Sequence, residues 1–181
     1  MRRAVFLDRD GTVIDEVGHL GEPERVAILP GVPEALRKLA DAGFALVLVT
    51  NQAGVARGFF SEADVEAVNA RTDELLAVEG VKLDGMYYCP HHPDLTGPCD
   101  CRKPAPGMLK RAARDLDLDL SRSWMVGDHP GDAGAGKAAG ASPIMVLTGH
   151  GMLPGSDHAP DPDVPVVQDL AAAAELILSS R

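Results

Sequence analysis

The chain has 181 residues, 45% of them hydrophobic, which is enough to fill the core of one ordinary domain. Twenty-seven acidic side chains against seventeen basic ones leave a net charge of −10, a balance that argues against a nucleic-acid backbone or an anionic membrane surface as partner. No apolar run reaches the roughly 18 to 20 residues that a membrane span requires, and the chain passes from Arg2 and Arg3 straight into a strand-like segment, so the expectation is a cytoplasmic protein, monomeric by default.

Ala4 to Leu7 is a short apolar run that ends in acidic residues and reads as a strand. After a turn-rich interval, Val32 to Ala42 carries Leu36 and Leu39 at helical spacing, and Gly43 stops that helix. Ala45 to Val49 is wholly apolar and reads as a buried parallel strand running into Thr50 and Asn51. Ser61 is a candidate N-cap for a helix from Glu62 to about Val78, with Val65, Val68, Leu75 and Leu76 on its inner face. Met86 to Tyr88 forms a third short strand. Cys89 to Pro106 is rich in Pro, His, Cys and Asp, shows neither period, and makes an awkwardly long loop unless something ties it. Beyond it come a helix over Gly107 to Leu116, a strand over Trp124 to Val126, a small-residue helix over Asp132 to Ala139 and a strand over Ile144 to Leu147. Gly149 to Pro165, with His158, reads as a surface loop without assigned chemistry, and an Ala-rich helix over Asp169 to Leu178 follows. Strands alternating with helices predict one α/β domain, a Rossmann-like three-layer sandwich with a mostly parallel central sheet, whose ligands collect at the carboxyl ends of the strands.

Three strands end in polar residues at that edge: Asp8 and Asp10, Thr50 and Asn51, and Asp128. Asp8-Arg9-Asp10-Gly11-Thr12 places two carboxylates at alternate positions beside a glycine that permits a sharp turn. Such acids repel unless a cation sits between them, and hard oxygen ligands suit Mg²⁺; taken alone, the motif is equally an acidic strand-end turn. Cys89-Pro90-His91-His92 and Cys99-Asp100-Cys101 form two close chelating pairs, enough to enclose one structural Zn²⁺ that ties the long loop and positions Arg102 and Lys103. Redox cysteines are the competing explanation, and spacing leaves the choice between His91 and His92 open.

The D-x-D-G-T motif, Thr50 at the second strand's end, Lys103, and Gly127-Asp128 followed by Asp132 together resemble the haloacid dehalogenase superfamily. The resemblance implies that Asp8 is a nucleophile toward phosphorus, that Asp10 is general acid and then base, and that Mg²⁺ is held by the Asp8 and Asp128 carboxylates and the Asp10 backbone carbonyl. It implies that Thr50 and Lys103 stabilise the phosphoryl oxygens, although a strand-end Thr is commonly a helix cap and a lone Lys commonly a solvated charge. Asp132 is expected either to orient Lys103 or the metal shell, or to cap its helix.

The cysteine loop, with Thr50-Asn51-Gln52-Ala53-Gly54-Val55-Ala56-Arg57-Gly58 and Tyr87-Tyr88-Cys89-Pro90-His91-His92-Pro93, resembles the heptose bisphosphate phosphatases and the related histidinol-phosphate phosphatases. That resemblance places the zinc ligands at Cys89, His91, Cys99 and Cys101. It places the contacts to a small sugar bisphosphate at Glu16, Val17, Gly18, His19, Asn51, Gln52, Ala53 and Arg102, with the Arg102 fork on the second phosphate. His19, where the family often has an aromatic, and His129-Pro130-Gly131 depart from its pattern. The intervals leave no room for a large cap domain, so loops should select the substrate. Removal of the 7-phosphate of a heptose 1,7-bisphosphate is the implied activity. Hydrolysis of histidinol phosphate, with Glu16 near the imidazole, and a non-catalytic phosphate-sensing or zinc-stabilised scaffold are the alternatives.

Overall fold

The computed structural model describes residues 1–149 and 161–180. Its strands are β1 (Ala4–Leu7), β2 (Ala45–Asn51), β3 (Gly85–Cys89), β4 (Trp124–Gly127), β5 (Ser142–Val146) and β6 (Val166–Val167). All pair in parallel in one sheet of order β3-β2-β1-β4-β5-β6. The helices are α1 (Val32–Asp41), α2 (Glu62–Val78), α3 (Pro93–Thr96), α4 (Gly107–Asp115), α5 (Pro130–Ala139) and α6 (Leu170–Ser179).

Side chains alternate across each strand, so the apolar runs supply two cores. Val5, Leu7, Leu46, Leu48, Val126 and Ile144 pack with Leu36 and Leu39 of α1, Val68 and Leu76 of α2, and Ile177 of α6. Ala4, Phe6, Val47, Val49 and Met125 face Met108, Leu109 and Ala112 of α4 and Ala135 of α5. This is the expected three-layer arrangement, and the wholly apolar, buried stretches Ala4–Leu7 and Ala45–Val49 follow from both faces being covered there. The β1–α1 connection holds only a short 3-10 turn at Pro23–Arg25, and α2 fills most of the β2–β3 connection, so no large cap is built. Among the described residues no helix is long and apolar enough to cross a membrane.

Local chemistry sets most boundaries. Ser61 caps α2 as expected, accepting from the Asp64 N–H at 3.2 Å while the Asp64 carboxylate accepts from the Ser61 N–H at 2.7 Å. On the inner face of α2, Leu75 is only half-buried, whereas Asn69 and Thr72 are buried. Thr72 satisfies its hydroxyl on the Val68 carbonyl at 2.9 Å, and Asn69 meets a partner from β1's loop described below. α5 begins at Pro130, two residues earlier than expected, because proline suits the first turn and His129 acts as N-cap. β5 likewise begins two residues and ends one residue earlier than read from the sequence. β6, just beyond the expected surface loop, pairs with β5 where no strand was expected; two residues are too few to show a period. Residues 150–160 of that loop, including His158, lie outside the described residues.

Strand order reverses at β1: β2 and β3 extend to one side, β4 to β6 to the other. A crevice therefore opens at the carboxyl ends of β1 and β4, where loops leave in opposite directions. Register then decides what faces it. Leu7 lies opposite Val126 and the Asp8 N–H donates to the Val126 carbonyl at 2.9 Å, so Asp8 and Asp128 emerge side by side.

Candidate active site

The crevice is a cleft of about 360 Å³ lined by Asp8, Asp10, Glu16, Gly18, His19, Thr50, Asn51, Gln52, Ala53, Arg102, Lys103 and Asp128, with His129, Gly131 and Asp132 at its β4 side. Every expected catalytic and magnesium residue is present. Of the expected substrate contacts, Val17 is missing: its side chain is exposed and does not line the cleft.

Lys103 organises the floor. Its side chain is 3% exposed, and its ammonium donates to Asp8 Oδ1 at 2.7 Å, Asp132 Oδ1 at 2.6 Å and the Val49 carbonyl at 2.8 Å. Burial by itself pulls a lysine down, but the Asp132 and Asp8 carboxylates outweigh it and hold Lys103 above its ordinary value as a permanent cation. Asp8 is pushed the other way: burial, then the neighbouring Asp132 charge, raise its carboxyl above the usual range against the pull of Lys103. Asp132 fills both expected roles, since Oδ2 accepts from the His129 N–H at 3.0 Å and closes the α5 capping box while Oδ1 orients Lys103.

Carboxylate oxygens of Asp8, Asp128 and Asp132 all lie within 4.8 Å of one another. Three carboxylates converging beside one ammonium make a hard oxygen donor set, and a hard divalent cation fits it. Backbone closes around Asp128. Gly11 has φ +79°, and a Cβ there would fall 2.5 Å from Asp128 Oδ2; a Cβ at Gly149 would fall 1.9 Å from the same oxygen. The Thr148 hydroxyl donates to the Gly11 carbonyl at 2.7 Å, holding the two glycines together.

Asp10 is gripped rather than free. Gln52 Nε2 donates to its Oδ2 at 2.9 Å and to Thr50 Oγ1 at 2.8 Å, while Arg9 donates from Nε to Oδ2 and from Nη2 to Oδ1, both at 3.2 Å. Two expected substrate residues, both in the cleft lining, also brace its other side chains. The buried Gln52 amide serves Asp10 and Thr50. The Asn51 side chain exchanges two hydrogen bonds of 3.0 Å with the Lys103 backbone, tying β2 to the lysine. Arg9, fully buried, was passed over in the sequence as the middle of D-x-D; its signal was a charge between two carboxylates at a core strand's end. Asn69, a polar residue on the apolar stripe of α2, was missed with it.

The three cysteines are free and their sulfurs converge, with Cys89 3.7 Å from Cys99, Cys99 3.5 Å from Cys101 and Cys89 2.7 Å from Cys101. Burial pushes the Cys89 and Cys101 thiols up. It acts on Cys99 too, but the Arg102 N–H and neighbouring thiols outweigh it and lower that one. A soft donor set of this kind suits Zn²⁺. The structure brings together three of the four expected ligands; His91 is not in the 4.8 Å group. His92 is engaged elsewhere, its Nδ1 accepting from the Asp94 N–H at 3.3 Å and its Nε2 3.0 Å from Arg57 Nη2. The Arg102 guanidinium, in the cleft lining, donates to the His91 carbonyl at 3.2 Å, which ties it to the cysteine loop.

Comparison with known proteins gives the family. A family model described as HAD-hydrolase-like matches residues 100–173. The D-glycero-beta-D-manno-heptose-1,7-bisphosphate 7-phosphatase of Yersinia pestis is 43% identical over 183 residues, covering 98% of this chain and 90% of that protein. The chain belongs to the haloacid dehalogenase-like phosphatases. Within that family, the enzyme of the same description from Escherichia coli (strain K12) is 45% identical over 164 residues, covering 87% of this chain and 86% of the relative. The crystal structure of D,D-heptose 1,7-bisphosphate phosphatase from B. bronchiseptica, complexed with magnesium and phosphate, matches with a TM-score of 0.88 and 37% identity, over 99% of each chain. This family phosphatase is accordingly a phosphoric monoester hydrolase, and its six-stranded sheet is the family's.

Proposed function

We propose that the chain removes the 7-phosphate of D-glycero-D-manno-heptose 1,7-bisphosphate, using Mg²⁺ and a phosphorylated Asp8. The observation that carries this is the buried Asp8–Lys103–Asp132 chain beside Asp128, in one cleft with Arg102. The activity named for the relatives supports the substrate, and the magnesium and phosphate in the B. bronchiseptica enzyme support the metal.

Asp8, its carboxylate oriented by Lys103, attacks phosphorus in line, forming an acyl phosphate as the bond to the ester oxygen breaks. Asp10 gives its proton to the departing alkoxide, then takes one from the water that hydrolyses the acyl phosphate. Lys103 and Thr50 sit where charge develops on the phosphoryl oxygens. Mg²⁺ held by Asp8, Asp128 and the Asp10 carbonyl would supply the charge neutralisation that lets a phosphate approach three carboxylates. Arg102 presents a planar fork to the second phosphate, and Glu16, Gly18, His19 and Ala53 surround the sugar.

Zn²⁺ on Cys89, Cys99 and Cys101, with His91 as the fourth ligand, would tie the 89–103 loop and so fix Arg102 and Lys103; the converging sulfurs support this. A thiolate-bound zinc suits a reducing cytoplasm. The chain is taken as a monomeric single domain that acts on a small sugar bisphosphate in the supply of nucleotide-activated heptose, with no nucleic-acid or membrane partner.

The test is phosphate release with Mg²⁺ from heptose 1,7-bisphosphate, histidinol phosphate and fructose 1,6-bisphosphate, with Asp8→Asn as control. The heptose is expected to be preferred about a hundredfold, or about 2.7 kcal/mol at the transition state. Arg102→Ala should damage the bisphosphates far more than histidinol phosphate. Preference for histidinol phosphate overturns the substrate, and activity surviving in Asp8→Asn overturns the mechanism.

A further inference from the structure

Arg9 stands between the two aspartates of the motif, yet neither the attack on phosphorus nor the recognition of a second phosphate uses it. Its side chain is 0% exposed and heads the fully buried side chains by volume. A guanidinium is costly to strip of water unless its N–H groups find acceptors, so its partners indicate what the burial serves. Two of its nitrogens grip the Asp10 carboxylate, Nε on Oδ2 and Nη2 on Oδ1, each at 3.2 Å. The third, Nη1, donates to Asn69 Oδ1 on α2 at 3.0 Å. The Arg9 carbonyl accepts from the Val13 and Ile14 N–H groups, both at 3.0 Å. Residue 9 is therefore anchored at both ends, and Asp10 is held from its neighbour's side chain.

The grip distinguishes the two oxygens of Asp10. Oδ2 accepts from Gln52 and Arg9 Nε, lies 3.1 Å from Arg9 Nη2 and accepts from the Thr50 hydroxyl at 3.5 Å, whereas Oδ1 has a single described contact, Arg9 Nη2. An oxygen already accepting two N–H bonds has little room for a proton of its own, so Oδ1 is the one fit to carry it. We propose that Arg9, braced by Asn69, is the positioning residue of the acid–base group: it turns Asp10 so that the proton passes through Oδ1. The inference rests on the phosphatase reading in which Asp10 protonates the leaving group. Asn69 lies outside the cleft lining and acts through Arg9, as Arg9 acts through Asp10.

That chain of action has a signature that a merely structural role lacks. An alkoxide needs a proton to leave, and p-nitrophenolate does not, so a misplaced acid harms one substrate and spares the other. The experiment measures first-turnover release of alcohol by the full-length Mg²⁺-loaded enzyme from a sugar bisphosphate and from p-nitrophenyl phosphate, with melting temperatures alongside. Asn69→Leu is expected to slow the sugar bisphosphate about tenfold with KM within about twofold, while nitrophenol release stays within about twofold. Asn69→Asp, which keeps an acceptor for Arg9, should recover the sugar reaction to within about threefold. Asn69→Ala provides the same comparison if leucine is not accommodated. Equal losses on the two substrates, or no recovery in Asn69→Asp, overturn the inference. Asp10→Asn separates it from the reading beneath: if that variant fails to widen the gap between the substrates, the acid role of Asp10 falls; if it does widen it while Asn69→Leu does not, only the positioning role falls.

Discussion

Lys103→Met removes one ammonium and keeps an unbranched side chain of similar reach, so what it costs measures the buried charge network directly. In the native protein that ammonium meets Asp8 at 2.7 Å, Asp132 at 2.6 Å and the Val49 carbonyl at 2.8 Å, with the lysine side chain 3% exposed. Screening by water is negligible there, and removing one partner of a buried ion pair costs about 3–5 kcal/mol. In a protein of this size each kcal/mol moves the melting temperature by roughly 2–4 °C, which predicts a fall of roughly 6–20 °C in metal-free buffer at pH 7. Millimolar Mg²⁺ should return part of that loss by binding the carboxylates that are left facing one another. Activity measured well below the melting point should fall about 10²–10³-fold, as for loss of one transition-state donor. Circular dichroism against temperature reads the first quantity and phosphate release the second. Adding Asp132→Asn removes a charge that the first change stranded, so the double variant should be less destabilised than the sum of the singles by about 0.5–3 kcal/mol. A melting temperature within about 2 °C of the parent, or strict additivity, would refute the network as described.

Asp8 gives a stability prediction of opposite sign. Its carboxyl is raised by burial and by Asp132 against Lys103, so above its folded pKa the ionised form costs stability, a cost absent when the group is protonated. Asp8→Asn should therefore melt higher than the parent at pH 8 in chelator, and the gap should close as pH falls through the folded value toward the ordinary 3.8. An equal or lower melting point at pH 8 would mean that Lys103 more than compensates. For the cysteine loop, metal analysis should find about one zinc per chain, and a strong chelator should lower the melting temperature before it alters the chemistry. A zinc-free protein with undiminished stability and activity rules that ligand set out.

What the residues determine locally was legible without coordinates. Runs such as Ala45 to Val49 announce strands covered on both faces, Ser61 and Asp64 announce the start of α2, and the D-x-D-G-T motif with Thr50, Lys103 and Asp128 announces a phosphoryl site, because each signal lies within a few neighbouring residues or at a strand end. Other features depend on which distant segments meet. β6 is two residues long and exists only because β5 offers it an edge. Whether Gln52 and Asn51 touch substrate or brace Asp10 and Lys103 turns on side-chain direction at the end of β2, and Val17 leaves the cleft for the same kind of reason. Arg9 and Asn69, 60 residues apart, become partners only when α2 packs over the end of β1. The sequence by itself determined which polar side chains end the strands and the sheet that carries them; the tertiary structure decided how each is held, because a buried charge is defined by what surrounds it and not by its neighbours along the chain.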